Sequence, residues 1–169
     1  MIGDIYYVGN LNVSSHLIAG QAGHVLIDTG FATTVPLLLQ SIRQLGFKER
    51  DVRLILITHG HVDHAGGARR MAKITGVPVA VHKRDVETVE TGSELTCAHY
   101  IYGIEDSEPF KVDKVLEGGE TLHVGEIVVK VHHTPGHTPG VCSYEIPVEH
   151  EGRKLIACIF GGPGQWTFK

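Results

Sequence analysis

Thr58-His59-Gly60-His61-Val62-Asp63-His64 is the most informative segment of the chain, and it directly follows the apolar run 54–57. Four side chains able to bind a metal ion fall within these residues, and core packing gives no reason for them. His59 and His61 are two positions apart, so on extended backbone they point to the same side and can meet one ion. Asp63 and His64 lie further along the turn, where they can face a second ion or hold a water molecule. A solvated loop with a chance run of histidines is the alternative, but the ligand pattern favours a metal site.

A second segment, Thr134-Pro135-Gly136-His137-Thr138-Pro139-Gly140, presents a further histidine. It follows the predicted strand that ends at His133, and its prolines and glycines predict a tight turn that displays His137. With His59 and His61 it completes a set of three nitrogen ligands. Three protein ligands with one open position are typical of catalytic rather than structural zinc. We therefore expect one or two zinc ions, although neutral imidazole also suits iron or another divalent metal.

Composition limits the class of protein. The chain has 169 residues, 42% of them hydrophobic and 20% charged, which predicts a single globular domain over 1–169. A net charge of -4 argues against nucleic acid as a partner. No apolar run approaches the roughly 20 residues that span a bilayer, so no membrane partner is expected. The first residues lack the pattern of a signal peptide, which predicts a cytoplasmic protein unless a removed leader directed it to the periplasm or outside the cell.

The order of the predicted elements indicates an α/β fold. Strands are expected over 5–8, 15–19, 25–27, 53–57 and 77–81. Helices are expected from Thr33 or Thr34 to Gly46, over 65–75 and over 83–91. This alternation of strands and helices is typical of α/β domains. After a surface loop over 92–109 with one helical turn, which we expect to line the substrate cleft, further strands are predicted over 122–124, 127–133, 141–146 and 155–160.

The ligand set predicts hydrolysis. A metal-bound water can ionise near neutral pH, and a neighbouring carboxylate can accept its proton and orient it. Asp63 is the candidate catalytic residue for this role, with the scissile group a polarised carbonyl or phosphoryl group. The metal would stabilise the oxyanion that develops.

Three segments together resemble the metallo-β-lactamase superfamily: 27–30 (Ile-Asp-Thr-Gly), 58–67 and 134–137. The resemblance implies a four-layer αββα sandwich with the metals at one edge of its two sheets. It also implies that His59, His61 and His137 bind the first metal, and that Asp63 and His64 bind the second. Asp28 corresponds to a family position at a strand end near the site, and we expect it to cap a turn without touching the metal.

The chain departs from the family pattern in two places. Many of these hydrolases carry a bridging aspartate in a Phe-Thr-Gly-Asp stretch, where this chain has Phe160-Gly161-Gly162-Pro163. The third metallo-β-lactamase subclass also lacks that aspartate, and the N-terminal half of the chain resembles this subclass most. Family members complete the second metal site with a further histidine, and no residue after His150 supplies it. The resemblance therefore implies the N-terminal larger part of the sandwich, with the C-terminal part missing and the second site one ligand short.

The leading hypothesis is a zinc-dependent hydrolase of a small-molecule amide or ester, with a β-lactam ring favoured. A thioester or lactone hydrolase with the same site is an alternative. So is a metal-binding fragment without turnover; an iron oxidoreductase of the superfamily is a weaker alternative. Sheet faces left uncovered by a missing part predict homodimerisation, strand exchange or low stability.

Overall fold

The computed structural model describes residues 2–104 and 108–162, where ten strands form two sheets. Residues 105–107 of the predicted 92–109 loop and the C-terminal residues from 163 lie outside this range. The first sheet contains β1 (Ile5–Tyr7), β2 (His16–Ile18), β3 (His24–Ile27), β4 (Val52–Leu56), β5 (Val79–His82) and β6 (Lys114–Leu116). The second contains β7 (Thr121–Val124), β8 (Ile127–His133), β9 (Cys142–His150) and β10 (Arg153–Ile159).

Helices connect the strands of the first sheet. They are α1 (Val35–Gln44), α2 (Val62–Ala65), α3 (Ala68–Thr75), α4 (Val86–Thr91) and α5 (Ala98–Tyr102). The helix predicted over 65–75 is interrupted at Gly66 and Gly67, and its first piece starts earlier, at Val62. As a result Asp63 and His64 lie on a short helix rather than on an open turn.

Strand β6 was not predicted from the sequence. It has three residues, of which Lys114 and Val115 are exposed, so it shows no regular alternation of apolar and polar positions. It is added to the sheet by parallel pairing with β5, which is a tertiary contact.

The first sheet is mixed and the second is antiparallel. Strands β1, β2 and β3 pair antiparallel, and β3, β4, β5 and β6 pair parallel, in chain order across the sheet. Strands β7 to β10 form an antiparallel meander. Parallel pairing requires crossover connections, and α1, α3 and α4 lie in them. The predicted α/β class is confirmed.

Two apolar cores define the layers. One lies between the helices and the first sheet and includes Ile42, Ile55 and Met71. The other lies between the two sheets and includes Ile27 and Tyr144. In residues 2–104 and 108–162 every helix precedes β6, so the described layers are helices, first sheet and second sheet.

No helix within these described ranges has the length and apolar character needed to cross a membrane.

Candidate metal centre

The candidate ligands follow the ends of strands from both sheets. The segment 58–64 begins two residues after β4, and Asp28 directly follows the neighbouring parallel strand β3. In α/β sheets, ligands commonly bind beyond the carboxyl ends of parallel strands. His137 comes from the other sheet, in the turn between β8 and β9. The site therefore lies at the edge where the two sheets meet.

Three histidine side chains converge at this edge. His59, His61 and His137 each offer a ring nitrogen within 4.8 Å of the others. The Nδ1 atom of His61 is 3.1 Å from Nε2 of His137. Two nitrogens bound tetrahedrally to one zinc ion at about 2.0–2.1 Å would be about 3.3 Å apart. The three rings thus have the spacing of a zinc site, although their role as ligands remains a prediction.

His59 has a buried nitrogen that suits a metal. Its Nδ1 is 3.1 Å from the hydroxyl of Thr58, and the backbone of Gly161 lies near the ring. Its Nε2 is buried and has no hydrogen-bond partner within residues 2–104 and 108–162. A buried polar atom without a partner is costly, so a bound metal ion would account for its orientation.

The environment keeps the three rings neutral, which is the form that binds metal. Burial, followed by the proximity of His137, lowers the pKa of His61 to about 4, although Asp63 opposes the shift. Burial also lowers the pKa of His59, together with His64 and the other two rings. The pKa of His137 is lowered by burial first and then by His64. Few protons would therefore compete with a metal ion at neutral pH.

A second group of candidate ligands overlaps the first. His59, Asp63 and His64 also offer ligand atoms within 4.8 Å of one another. Nε2 of His64 is 3.5 Å from a carboxylate oxygen of Asp63. All five residues predicted as metal ligands are therefore close together, in two groups that share His59.

Comparisons with known proteins identify the family of the chain. The family model described as the metallo-β-lactamase superfamily matches residues 8–150. The chain belongs to this superfamily. A Methanocaldococcus jannaschii protein named a probable metallo-hydrolase is 28% identical over 155 residues, which cover 90% of this chain and 70% of that protein.

Solved metallo-β-lactamases have a similar structure. The native enzyme from Legionella gormanii matches with a TM-score of 0.88 and 33% identity, over 95% of this chain and 62% of its own. The subclass B3 enzyme of Bradyrhizobium japonicum matches with a TM-score of 0.86 and 32% identity, over 95% of this chain and 60% of its own. The predicted superfamily is confirmed, and so is the predicted resemblance to its third subclass. The chain spans about three fifths of the length of these enzymes.

Within this superfamily member, Asp28 orients other residues of the site. It has a left-handed backbone conformation, with φ of 59°. Its carboxylate accepts hydrogen bonds of 2.7 Å from the backbone N–H and from the hydroxyl of Thr58. The other close contact is with Nδ1 of His64, at 2.7 Å. Asp28 therefore holds the ring of His64 so that Nε2 faces Asp63, as carboxylates commonly do for metal-binding histidines.

The same contact alters the charge of His64. Burial disfavours the protonated ring, but the charge of Asp28 and its hydrogen bond, assisted by Asp63, raise the pKa above the ordinary value. The pKa of His64 is thus raised, whereas the pKa values of the three neighbouring histidines are lowered. A metal ion at Nε2 of His64 would therefore compete with a proton more than an ion bound by the other three rings.

The backbone of Gly161 lies beside His59, in the stretch where many superfamily hydrolases carry the bridging aspartate. Gly161 and Gly162 are described, whereas Pro163 lies outside the described residues. The Gly161 backbone therefore lies next to the His59 ring. Neither Gly161 nor Gly162 has a carboxylate side chain that could bind a metal ion.

Two functional contacts were not identified from the sequence. The phenol of Tyr102, on α5, forms a hydrogen bond with Asp63, and burial together with this carboxylate raises the pKa of the phenol. Its ring packs edge-on against Phe31, with centroids 4.9 Å apart. Tyr102 lies in the loop that was expected to line the substrate cleft, but no sequence pattern singled it out.

The second contact involves Asp85, at the start of α4. Its Oδ2 accepts hydrogen bonds from Gly60 N–H at 2.8 Å and from the Thr138 hydroxyl at 2.6 Å. Its Oδ1 accepts a bond of 2.8 Å from Gly140 N–H. In the sequence, Asp85 lies inside the helix predicted over 83–91, and no pattern singled it out.

His132 and His133 precede the His137 turn, but their rings contact residues other than the candidate metal ligands. His132 contacts Glu145 at 2.8 Å, and His133 stacks on His82 with ring centroids 4.0 Å apart. Neither belongs to a group of candidate metal ligands in the described part of the chain.

Proposed function

We propose that this superfamily member is a metal-dependent hydrolase, with zinc as the metal and a small-molecule amide or ester as the substrate. A β-lactam ring is the favoured substrate. One observation carries the proposal: His59, His61 and His137 bring three neutral ring nitrogens within 4.8 Å of one another, and Nε2 of His59 is buried with no hydrogen-bond partner among the described residues. Three nitrogen ligands with an open position are the pattern of catalytic zinc.

The named relatives support the choice of substrate. The chain is about one third identical to two solved metallo-β-lactamases and keeps their fold over 95% of its length. It spans only part of those enzymes, so their activity is transferred here as a proposal.

The chemistry is divided between the metal and the side chains. A zinc ion held by the three histidines would act as a Lewis acid toward the substrate carbonyl and make a nearby water molecule more acidic. Asp63 would accept the proton of the attacking water and orient it. Tyr102 donates its hydrogen bond to the Asp63 carboxylate and so holds it in place. Asp28 keeps His64 directed at the same region.

We propose that a second ion binds more weakly than the first. Asp63 and His64 are available for it, but His59 is shared with the first group. The raised pKa of His64 also means that a proton competes for this site.

Metal content measured together with activity tests the proposal. The wild-type protein loaded with zinc should hold at least one tightly bound ion and hydrolyse nitrocefin. The double variant His59→Ala/His61→Ala should lose both the ion and the hydrolysis, since two of three ligands are removed. His123→Ala, which alters an exposed histidine on β7, is the matched control and should retain both. Full hydrolysis by the double variant would refute the mechanism.

Stability provides a second readout of metal binding. A ligand that binds only the folded state at 100 times its Kd stabilises the protein by about 2.7 kcal/mol. Zinc should therefore raise the melting temperature of the wild type and of His123→Ala, but not of the double variant.

A substrate panel separates the remaining alternatives. Nitrocefin, a thioester and a homoserine lactone should be compared on one zinc-loaded sample. Preference for the thioester or the lactone would keep the site and change the substrate class. One tightly bound ion without turnover on any of them would favour the metal-binding fragment.

A further inference from the structure

The candidate ligands come from two sheets, and their relative positions must be set by contacts between those sheets. His59 and His61 follow β4 of the first sheet, whereas His137 follows β8 of the second. At the base of the site, the Cys142 N–H donates a 2.8 Å hydrogen bond to the Thr58 carbonyl oxygen. This bond joins the strand ends but does not reach the tips of the two loops.

Asp85 joins the tips of both loops. Gly60, which donates to one of its oxygens, stands between His59 and His61. Thr138 and Gly140, which donate to the same carboxylate, follow His137 in its turn. One side chain therefore contacts both loops that carry the three histidines, from a third element that belongs to neither.

The Asp85 carboxylate is buried and is not used to cap its own helix. Asp85 is only 1% exposed, and its side chain makes no capping hydrogen bond to its own helix α4. A Cβ atom on Gly140 would lie 2.4 Å from the Asp85 carboxyl carbon, so only glycine lets the turn approach this closely. An ordinary N-cap would turn its oxygens toward the first N–H groups of its helix.

We infer that Asp85 is a positioning residue that sets the distance between the His59–His61 loop and the His137 turn, and so prepares the site for a metal ion. This inference rests on the proposed metal site and extends it to a residue that touches no ligand atom. Partners that orient metal ligands typically contribute a factor of 10 to 100 in metal affinity.

Asp85→Asn is the direct test because it preserves shape. An amide has one acceptor oxygen and one N–H₂ group, so it cannot accept from Gly60 and Gly140 through different oxygens. One buried backbone N–H would then face another donor, which is unfavourable. The two loops should move apart, and the three nitrogens should no longer share one position.

The measurement is Co²⁺ binding to the full chain, by competition with a chelator and by the visible spectrum of the bound ion. We expect Asp85→Asn to bind Co²⁺ roughly 10- to 100-fold more weakly, with a changed spectrum. Thr138→Val removes one of the three donors and should weaken binding by a smaller factor with the same spectral change. Asp113→Asn is the matched control, since Asp113 accepts a 3.0 Å hydrogen bond from Val79 N–H on β5 without contacting either loop. It should bind as the wild type does.

The outcomes separate this inference from the proposed function. Wild-type Co²⁺ affinity and spectrum in folded Asp85→Asn, or in Thr138→Val if the first variant does not fold, would overturn the positioning role alone. A wild-type protein that binds no Co²⁺ would overturn the metal site and the positioning role together. Equal losses in Asp113→Asn would show a general effect of stability and would also overturn the inference.

Discussion

Asp63 is the candidate catalytic carboxylate, and a side chain from another element holds it. Tyr102 hydrogen-bonds Asp63 and packs on Phe31, while His64 approaches the same carboxylate from its own helix. The reactivity of Asp63 therefore depends on residues that are distant in sequence.

Removal of the Tyr102 hydroxyl should slow hydrolysis. Tyr102 is 41% exposed, so we discount the contribution of a hydrogen bond to a charged group to about 1 kcal/mol, which corresponds to about fivefold. Tyr102→Phe should lower kcat/KM by this factor through kcat, with metal content unchanged. Steady-state kinetics on the zinc-loaded protein measure it.

Tyr100→Phe is the control for that variant. Tyr100 lies on the same helix, is 68% exposed, and its hydroxyl is 3.5 Å from Glu94 rather than near Asp63. Equal rates for Tyr102→Phe and the wild type would show that this hydrogen bond does not assist Asp63.

The strands place the site through contacts that cross between the sheets. Tyr144 on β9 is fully buried, and its hydroxyl donates a 2.8 Å hydrogen bond to the carbonyl oxygen of Ile57, just before the histidine segment. The hydrogen bond to the first sheet was not predictable, because 87 residues separate its partners.

Tyr144→Phe should destabilise the fold. It leaves the Ile57 carbonyl oxygen buried without this donor, at a cost of about 1 kcal/mol. For a chain of this size that corresponds to a decrease of roughly 2–4 °C in melting temperature. Thermal unfolding of the metal-free protein measures it, with Tyr7→Phe as a control at a tyrosine that is 50% exposed. An unchanged melting temperature would contradict the structural role of the hydroxyl.

Buried histidines make the stability of the metal-free protein depend on pH. Burial is the main cause of a lowered pKa in His16, His59, His61, His82 and His137. Below the ordinary value of 6.5 the unfolded chain therefore binds more protons than the folded one, and stability falls as pH falls. His61 continues this effect down to its folded pKa of about 4. His64, whose pKa is raised, acts in the opposite direction and offsets part of it.

We expect the melting temperature of the metal-free protein to fall by roughly 5 °C or more between pH 7 and pH 5. His82→Gln should show a shallower decrease, because the variant side chain does not titrate. In the wild type, Nδ1 of His82 accepts a 3.3 Å hydrogen bond from Arg84 N–H, which favours the neutral ring. The Glu117 carbonyl oxygen, 3.2 Å from Nε2, acts in the opposite direction, but burial outweighs it and the pKa of His82 is lowered. A melting temperature independent of pH over this range would refute the expectation.

The edge strand of the second sheet exposes apolar side chains that could bind a second copy of the chain. Ile156 on the edge strand β10 is 68% exposed, and Phe160 just after it is 61% exposed. Exposed apolar edge strands tend to pair with other chains. We propose that the chain forms homodimers through β10, which Ile156→Lys should weaken.

Light scattering over a range of concentrations tests this association. Leu11→Lys, at an equally apolar but fully exposed loop position, is the control and should behave as the wild type. A monodisperse wild-type monomer at high concentration would contradict dimerisation.

Local patterns in the sequence were sufficient for the α/β class, the histidine segment and the displayed His137, because each depends on residues that are close along the chain. They missed the short exposed strand β6 and the break between α2 and α3. The three-histidine cluster joins residues up to 78 positions apart, and Asp28, Tyr102 and Asp85 reach the site from other elements. Only the tertiary structure decided those contacts, because hydrogen bonds between distant segments leave no periodic signal in the sequence. Residue types and their spacing thus determined the candidate chemistry. The packing of the two sheets determined the geometry that brings the candidate ligands together.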